Sequence, residues 1–82
     1  MSRVNSAIMT MEMDLLCYEI VRAKGLHPGD FKNLHEAYAV ILEEMDELWT
    51  EIKTKQPSKE KCRTEARQVA AMCIRLITEL TM

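Results

Sequence analysis

The fold of this chain is predicted most clearly by residues 33–52, which read NLHEAYAVILEEMDELWTEI. Apolar residues recur in this stretch at alternating spacings of three and four, at Tyr38, Ile41, Met45, Leu48 and Ile52. That spacing is typical of one face of an α-helix. Asn33 is a favourable N-cap, and Glu36 stands three residues later, which is the spacing of a capping box. We therefore expect a helix that begins after Asn33 and fades near Lys55, before Pro57.

Two further helices are predicted, one on each side of this segment. The first covers about residues 5–24 and ends in a cationic turn followed by Gly25, as helix C-termini prefer. Residues 26–30 then form a loop. The third helix follows the N-cap Ser58 and runs to about Leu80. Both helices carry the three-four apolar spacing, at Met9, Met13, Leu16, Ile20 and Ala23 in the first and at Cys62, Ala66, Val69, Cys73, Leu76 and Leu80 in the third.

Length and composition agree with a small helical protein. The chain has 82 residues, of which 48% are hydrophobic and 29% charged, with only 2 Gly and 2 Pro. So few turn residues argue against a β-sandwich or barrel. A chain this short buries only about 60% of its unfolded surface, and three narrow apolar stripes cannot enclose a large core. We expect one all-α domain over residues 1–82: a three-helix antiparallel bundle that completes a four-helix-type core by oligomerisation.

Several classes of protein are excluded by the same sequence. The net charge of −2 argues against a nucleic-acid binder. The longest apolar runs, at residues 37–42 and 69–74, are far shorter than a membrane-spanning helix requires. The three cysteines, Cys17, Cys62 and Cys73, form no zinc-binding spacing and are interpreted as reduced thiols. We therefore expect a soluble, cytoplasmic protein with neither nucleic acid nor membrane as a partner.

Acidic side chains are concentrated on the second predicted helix. Residues 33–52 contain no Lys or Arg but six carboxylates, at Glu36, Glu43, Glu44, Asp46, Glu47 and Glu51. Like charges three and four residues apart on a helix repel one another. A solvated acidic edge is one interpretation, and a bound cation is the other.

The third predicted helix carries an acid on its apolar side. Glu65 projects in nearly the same direction as Val69 and Met72, where an unpaired carboxylate is unfavourable. Its partner is either a Lys or Arg of a neighbouring helix, or a divalent cation that it shares with Glu44 and Glu47. Hard cations such as Mg²⁺ take oxygen ligands and keep positions for water and phosphate.

Two stretches of the chain resemble a known family. Residues 35–49 read HEAYAVILEEMDELW, and residues 65–72 read EARQVAAM. They resemble the all-α NTP pyrophosphohydrolases, in particular the MazG-like group, whose pattern is ExxE on one helix and ExxD on the next. The resemblance covers about residues 33–76, which is over half of the chain.

This resemblance implies an activity and a set of site residues. Such enzymes hydrolyse nucleoside triphosphates to the monophosphate and pyrophosphate with Mg²⁺ or Mn²⁺, and house-cleaning of non-standard nucleotides is the role implied. They act as helical dimers or tetramers, so the resemblance also implies a homodimer or homotetramer. Glu44 and Glu47 match the first pair of acids, and Glu65 matches the first acid of the second pair. Gln68 stands where the family has Asp. By resemblance these four would be metal ligands, and Glu43 would orient the attacking water or support the ligands.

The departure at Gln68 leaves a second interpretation open. An amide oxygen still coordinates a metal, but it carries no charge, so the change implies a weaker site, a different number of metals or lost activity. The alternative function is a non-catalytic helical module for oligomerisation or interaction that has kept the bundle. Carboxylates converging at Glu44, Glu47 and Glu65 would favour the enzyme. Carboxylates each paired with Lys or Arg would favour the module.

Overall fold

The computed structural model describes residues 5–26 and 28–82. Over these residues the chain forms three α-helices and no strand: α1 (Ser6–Leu26), α2 (Leu34–Ile52) and α3 (Lys59–Leu80). The predicted all-α class with three helices is confirmed. None of these helices combines the length and the apolar character needed to cross a membrane.

The central helix of the structure is α3. It packs against both α1 and α2, whereas the two flanking helices, as far as they are described, bring no pair of Cα atoms within 8 Å of each other. The short connection over residues 53–58 makes α2 and α3 antiparallel. At one end of this pair, the Ser58 N–H donates to the Glu51 carboxylate at 2.9 Å. At the other end, the Phe31 N–H donates to Glu79 at 2.8 Å.

The direction of α1 follows from two ion pairs with α3. Arg67 Nε lies 2.6 Å from the Glu12 carboxylate, in the first half of both helices. Lys24 Nζ lies 3.3 Å from the Glu79 carboxylate near the end of both. The helix α1 is therefore parallel to α3 and antiparallel to α2, an up-down-up order in which α3 separates the other two.

The predicted helix starts are confirmed by their caps. Asn33 Oδ1 accepts the Glu36 N–H at 2.8 Å, and Ser58 Oγ accepts the Lys61 N–H at 3.1 Å. The reciprocal bond of the expected capping box is displaced by one residue, because the Glu36 carboxylate accepts the N–H of Lys32 at 2.9 Å rather than that of Asn33.

Two predicted helix ends are wrong. The helix α1 continues through Gly25 to Leu26, and the left-handed backbone that suits glycine occurs instead at Gly29, with φ of 103°. His27, predicted to lie in the loop, is outside the described residues. The helix α2 ends at Ile52 rather than near Lys55. It ends there because the N–H and the hydroxyl of Thr54 both donate to the Glu51 carbonyl, at 3.2 and 2.9 Å, which closes a tight final turn.

The core is small and lies where α2 and the loop before it meet α3. Its buried hydrophobic residues are Phe31, Ala37, Ala71 and Met72, and Leu16, Ile20 and Ala23 of α1 pack against them. No residue of α1 is itself buried. Met9 and Met13, predicted on the apolar stripe of α1, are half exposed because α3 is the only helix that α1 contacts within the described part of the chain.

The predicted apolar stripe of α2 is partly wrong. Ile41 and Leu48 are half-buried, but Tyr38 of the same stripe is 64% exposed, and the neighbouring Trp49 is 56% exposed. The side of α2 that includes Ala37 and Val40 packs on α3 instead. A second apolar surface therefore remains uncovered, the outer face of α2, which consists of Tyr38, Leu42, Met45, Trp49 and Ile52.

Candidate metal centre

Three of the predicted metal ligands come together in the structure. One carboxylate oxygen from each of Glu44, Glu47 and Glu65 lies within 4.8 Å of the other two. Glu44 and Glu47 project from the same side of α2 because they are three residues apart. Glu65 faces them from α3, because the antiparallel hairpin places the middle of α2 opposite the first half of α3.

Two oxygens of this cluster are buried without a partner. Glu44 Oε2 and Glu65 Oε2 lack a hydrogen bond to any part of the chain that the structure describes. Within residues 5–26 and 28–82, neither glutamate forms an ion pair with Lys or Arg. A basic partner for Glu65, one of the two expected alternatives, is thus not found there. A buried carboxylate without a counter-charge is unfavourable, so the cluster favours a bound proton or cation.

Electrostatics at the cluster point the same way. The pKa of Glu44 is raised to about 7. Desolvation is the largest cause, and the charge of Glu47, a hydrogen bond with Glu47 and the charge of Glu65 follow in that order. Desolvation and then the charge of Glu47 also raise the pKa of Glu65, with a smaller contribution from Glu51. Near neutral pH, therefore, the cluster without a cation keeps part of its protons.

The two other predicted site residues lie beside the cluster. Gln68 is half-buried one turn after Glu65 and shares the wall of a cleft with Glu44. Glu43 is exposed, and its charge contributes to the raised pKa of Glu44. Glu51 was not predicted as a site residue, although its spacing from Glu44 and Glu47 on α2 signals the same helix face.

A cleft of about 520 Å³ opens between α1 and α2, above α3. It exists because the two flanking helices, over their described residues, contact α3 but not each other. Its wall combines carboxylate, amide, apolar and cationic side chains, including Glu44, Gln68, Val40, Met72, Phe31 and Arg75. The carboxylate cluster thus borders a cavity large enough for a small-molecule ligand.

Arg75 of α3 is buried in the wall of the cleft although it is charged. Its side chain is only 7% exposed. The Nε group donates to Glu79 at 2.8 Å, Nη2 donates to the Gly29 carbonyl at 3.2 Å, and the guanidinium carbon lies 4.3 Å from the centroid of the Phe31 ring. Burial is tolerated because these partners satisfy the charge. The i,i+4 spacing of Arg75 and Glu79 was the only signal in the sequence.

The remaining basic residues are distributed away from the carboxylates. Arg67 is bonded to Glu12 of the same chain at 2.6 and 2.8 Å. The cations around the loop between α2 and α3 are exposed and form no ion pair with a described residue; they are Lys53, Lys55, Lys59, Lys61 and Arg63.

Comparison of the chain with protein-family models, curated proteins and solved structures finds no match in any of the three. The resemblance to MazG-like pyrophosphohydrolases therefore stays a prediction that rests on residues 35–49 and 65–72. What the protein does must be inferred from the carboxylate cluster and from the cleft beside it.

Proposed function

We propose that this protein is a Mg²⁺-dependent nucleoside triphosphate pyrophosphohydrolase of the MazG-like type, which forms a nucleoside monophosphate and pyrophosphate. One observation carries the proposal: Glu44, Glu47 and Glu65 converge, and two of their oxygens are buried without a partner among residues 5–26 and 28–82. A cluster that served only as a solvated acidic edge would have its oxygens in water or paired with Lys and Arg.

The donor set of the cluster fits a hard divalent cation. Three carboxylates supply oxygen ligands and negative charge, which Mg²⁺ and Mn²⁺ prefer. Glu44, Glu47 and Glu65 would hold the ion, and the amide oxygen of Gln68 is proposed as a further, neutral ligand. A bound ion would neutralise phosphate charge and lower the pKa of a water molecule.

The chain's own groups have separate tasks in this proposal. Glu43, exposed beside Glu44, orients the attacking water and accepts its proton. The cleft between α1 and α2 holds the organic part of the substrate, since Glu44 of the cluster and the neighbouring Gln68 both line it.

We also propose that the active form is a homodimer or homotetramer. The outer face of α2 supports this, because its five large apolar side chains are between 43% and 64% exposed. A contiguous apolar surface of this kind on a small protein is typical of an interface. A second copy would complete the four-helix-type core that three helices do not build.

The alternative function remains a non-catalytic interaction module, which the same outer face of α2 favours. Release of pyrophosphate from a panel of nucleoside triphosphates, with Mg²⁺ or Mn²⁺, separates the two functions. We expect activity that Glu44→Gln abolishes and that Asp46→Asn, a change at an exposed carboxylate of the same helix, preserves. Absence of pyrophosphate release from every nucleotide would favour the module.

A further inference from the structure

One face of α3 presents four different chemical groups in order. Glu65, Gln68, Met72 and Arg75 follow one another at spacings of three, four and three, so they lie on the same side of the helix. Glu65 belongs to the carboxylate cluster, and the other three line the cleft. Gln68 and Arg75 are separated by about 10 Å along the axis, given the rise of an α-helix. A ligand along this face meets an acid, an amide, a thioether and a guanidinium.

The guanidinium of Arg75 is held in place by contacts to two of its nitrogens and to one face, and the third nitrogen, Nη1, has no strong acceptor among the described residues. Glu79 and the Gly29 carbonyl occupy Nε and Nη2, and the Phe31 ring covers one face. The only partner of Nη1 among the described residues is the Met72 sulfur, at 4.0 Å. Sulfur is a weak acceptor, so Nη1 keeps N–H donors that no oxygen of these residues accepts.

A fixed N–H donor of this kind selects ligands by their acceptors. The guanidinium is always protonated and has no acceptor of its own, so it favours a carbonyl oxygen and disfavours an amino group. Arginine recognises the carbonyl and ring nitrogen of guanine in the same way. The side chains of Met72 and Val40, also in the wall of the cleft, offer apolar contact to a flat ring.

We infer that Arg75 determines base specificity: the site selects nucleotides whose base carries a carbonyl oxygen, such as inosine, guanosine and uridine, over adenosine. The inference rests on the proposed function, because the phosphates must lie at the carboxylate cluster for the base to reach Arg75. Arg75 contacts the base and not the reacting phosphate, so its effect falls on KM rather than on kcat.

Inosine and adenosine triphosphates form a matched pair of probes, since the purine of one has a carbonyl where the other has an amino group. We expect wild-type kcat/KM to be about tenfold or more higher for the inosine nucleotide, within the range of one specific arginine–base contact. Arg75→Lys keeps the charge, but its shorter side chain has a single nitrogen for Glu79 and the Gly29 carbonyl, and no counterpart of Nη1 remains for the base. The variant should therefore raise KM for the inosine nucleotide to the value for ATP.

The control is Arg67→Lys, the same substitution on the same helix, at an arginine that is also paired with a glutamate but does not line the cleft. It should keep the wild-type preference. If Arg75→Lys does not fold, as judged by circular dichroism, the test uses wild type alone. Its kcat/KM must then be higher for inosine and uridine triphosphates than for ATP.

The two proposals fail in different ways. Hydrolysis of both purine nucleotides with equal kcat/KM overturns the role of Arg75 but leaves the proposed pyrophosphohydrolase function intact. A preference that persists unchanged in folded Arg75→Lys also overturns it. If calorimetry with non-hydrolysable analogues and Mg²⁺ shows no binding of either nucleotide, and neither is hydrolysed, the proposed function fails and this inference fails with it.

Discussion

Glu44 Oε2 on α2 and Glu65 Oε2 on α3 are both buried, and neither has a hydrogen-bond partner in the described part of the chain. Each lies in a cluster where carboxylates approach one another and no Lys or Arg of the described residues pairs with them. Such an arrangement destabilises the folded protein unless a proton or a metal compensates it. The stability of this protein should therefore depend on both pH and divalent cations.

Replacing one acid of the cluster should stabilise the protein when no metal is present. In Glu44→Gln, loss of one charge relieves repulsion, and we expect a Tm several degrees above wild type, since about 1 kcal/mol shifts a domain of this size by about 4–8 °C. Glu47→Gln and Glu65→Gln should act in the same direction. Thermal unfolding followed by circular dichroism measures this.

The same variants should lose the response to Mg²⁺. Wild type should gain Tm with increasing Mg²⁺ by mass action, whereas Glu44→Gln should gain little. The control, Asp46→Asn, lies on the exposed side of α2 and should respond as wild type does. A wild-type Tm that Mg²⁺ does not change, even with a nucleotide analogue present, would contradict the metal site.

The pH dependence of metal-free stability should have an unusual sign. The pKa of Glu44 is raised from 4.5 to about 7, chiefly by desolvation, so between these values the folded state binds more protons than the unfolded state. Stability should therefore decrease as the pH rises from about 4.5 to about 7, and Glu44→Gln should flatten this slope. Excess Mg²⁺ should reverse the trend, since it binds the deprotonated carboxylates. Urea unfolding across this pH range provides the measurement.

Acid should destabilise the protein through a different carboxylate. Hydrogen bonds from the Arg75 side chain, the Phe31 backbone and Lys24 lower the pKa of Glu79 from 4.5 to about 2. The stability that this group contributes is present above pH 4.5 and is lost as the pH falls towards 2. Glu79→Gln should therefore remove this contribution to the free energy of unfolding at neutral pH.

The expected loss in Glu79→Gln is about 3–5 kcal/mol, because the variant leaves the buried Arg75 without its counter-charge. Glu60→Gln, at an exposed position of α3, is the matched control and should change stability little. Equal unfolding free energies for the two variants would show that the Arg75–Glu79 pair contributes no more than a surface ion pair.

Gln68→Asp tests whether the side chain at position 68 is a metal ligand. If Gln68 is a ligand, the added carboxylate should tighten Mg²⁺ binding and either raise activity or change the metal preference. Without metal it should lower the Tm, since it adds a fourth acid to an acidic cluster. Thermal unfolding with and without excess Mg²⁺ separates these effects. A destabilised variant that Mg²⁺ does not rescue would rule out a metal-binding role at this position.

Assembly through the outer face of α2 can be tested by introducing a charge. Trp49→Arg should dissociate the oligomer, because a buried unpaired cation is unfavourable in an apolar interface. Thr50→Arg places the same charge about 100° further around the helix, away from the outer face, and should leave the oligomer intact. Sedimentation at micromolar concentration distinguishes the two results, and a monomeric wild type contradicts the proposal.

Signals close together in the chain determined the helices and the candidate cluster. Asn33 and Ser58 begin their helices through hydrogen bonds to residues three positions later. Glu44 and Glu47 share a helix side by spacing alone, and a hairpin loop of a few residues brings Glu65 opposite them. Each of these features depends on local geometry, and each was therefore predictable from the sequence.

Only the tertiary structure decided how each helix is rotated about its axis and where distant residues meet. Apolar residues cover a wide arc of α2, so periodicity could not distinguish the side that packs on α3 from the outer face that includes Tyr38 and Trp49. Arg75 is buried because Phe31, Gly29 and Glu79 surround it, and two of these partners lie more than 40 positions earlier in the chain. The cleft also depends on tertiary packing. The helices α1 and α2 both pack on α3, and no local sequence pattern encodes the space that remains between them.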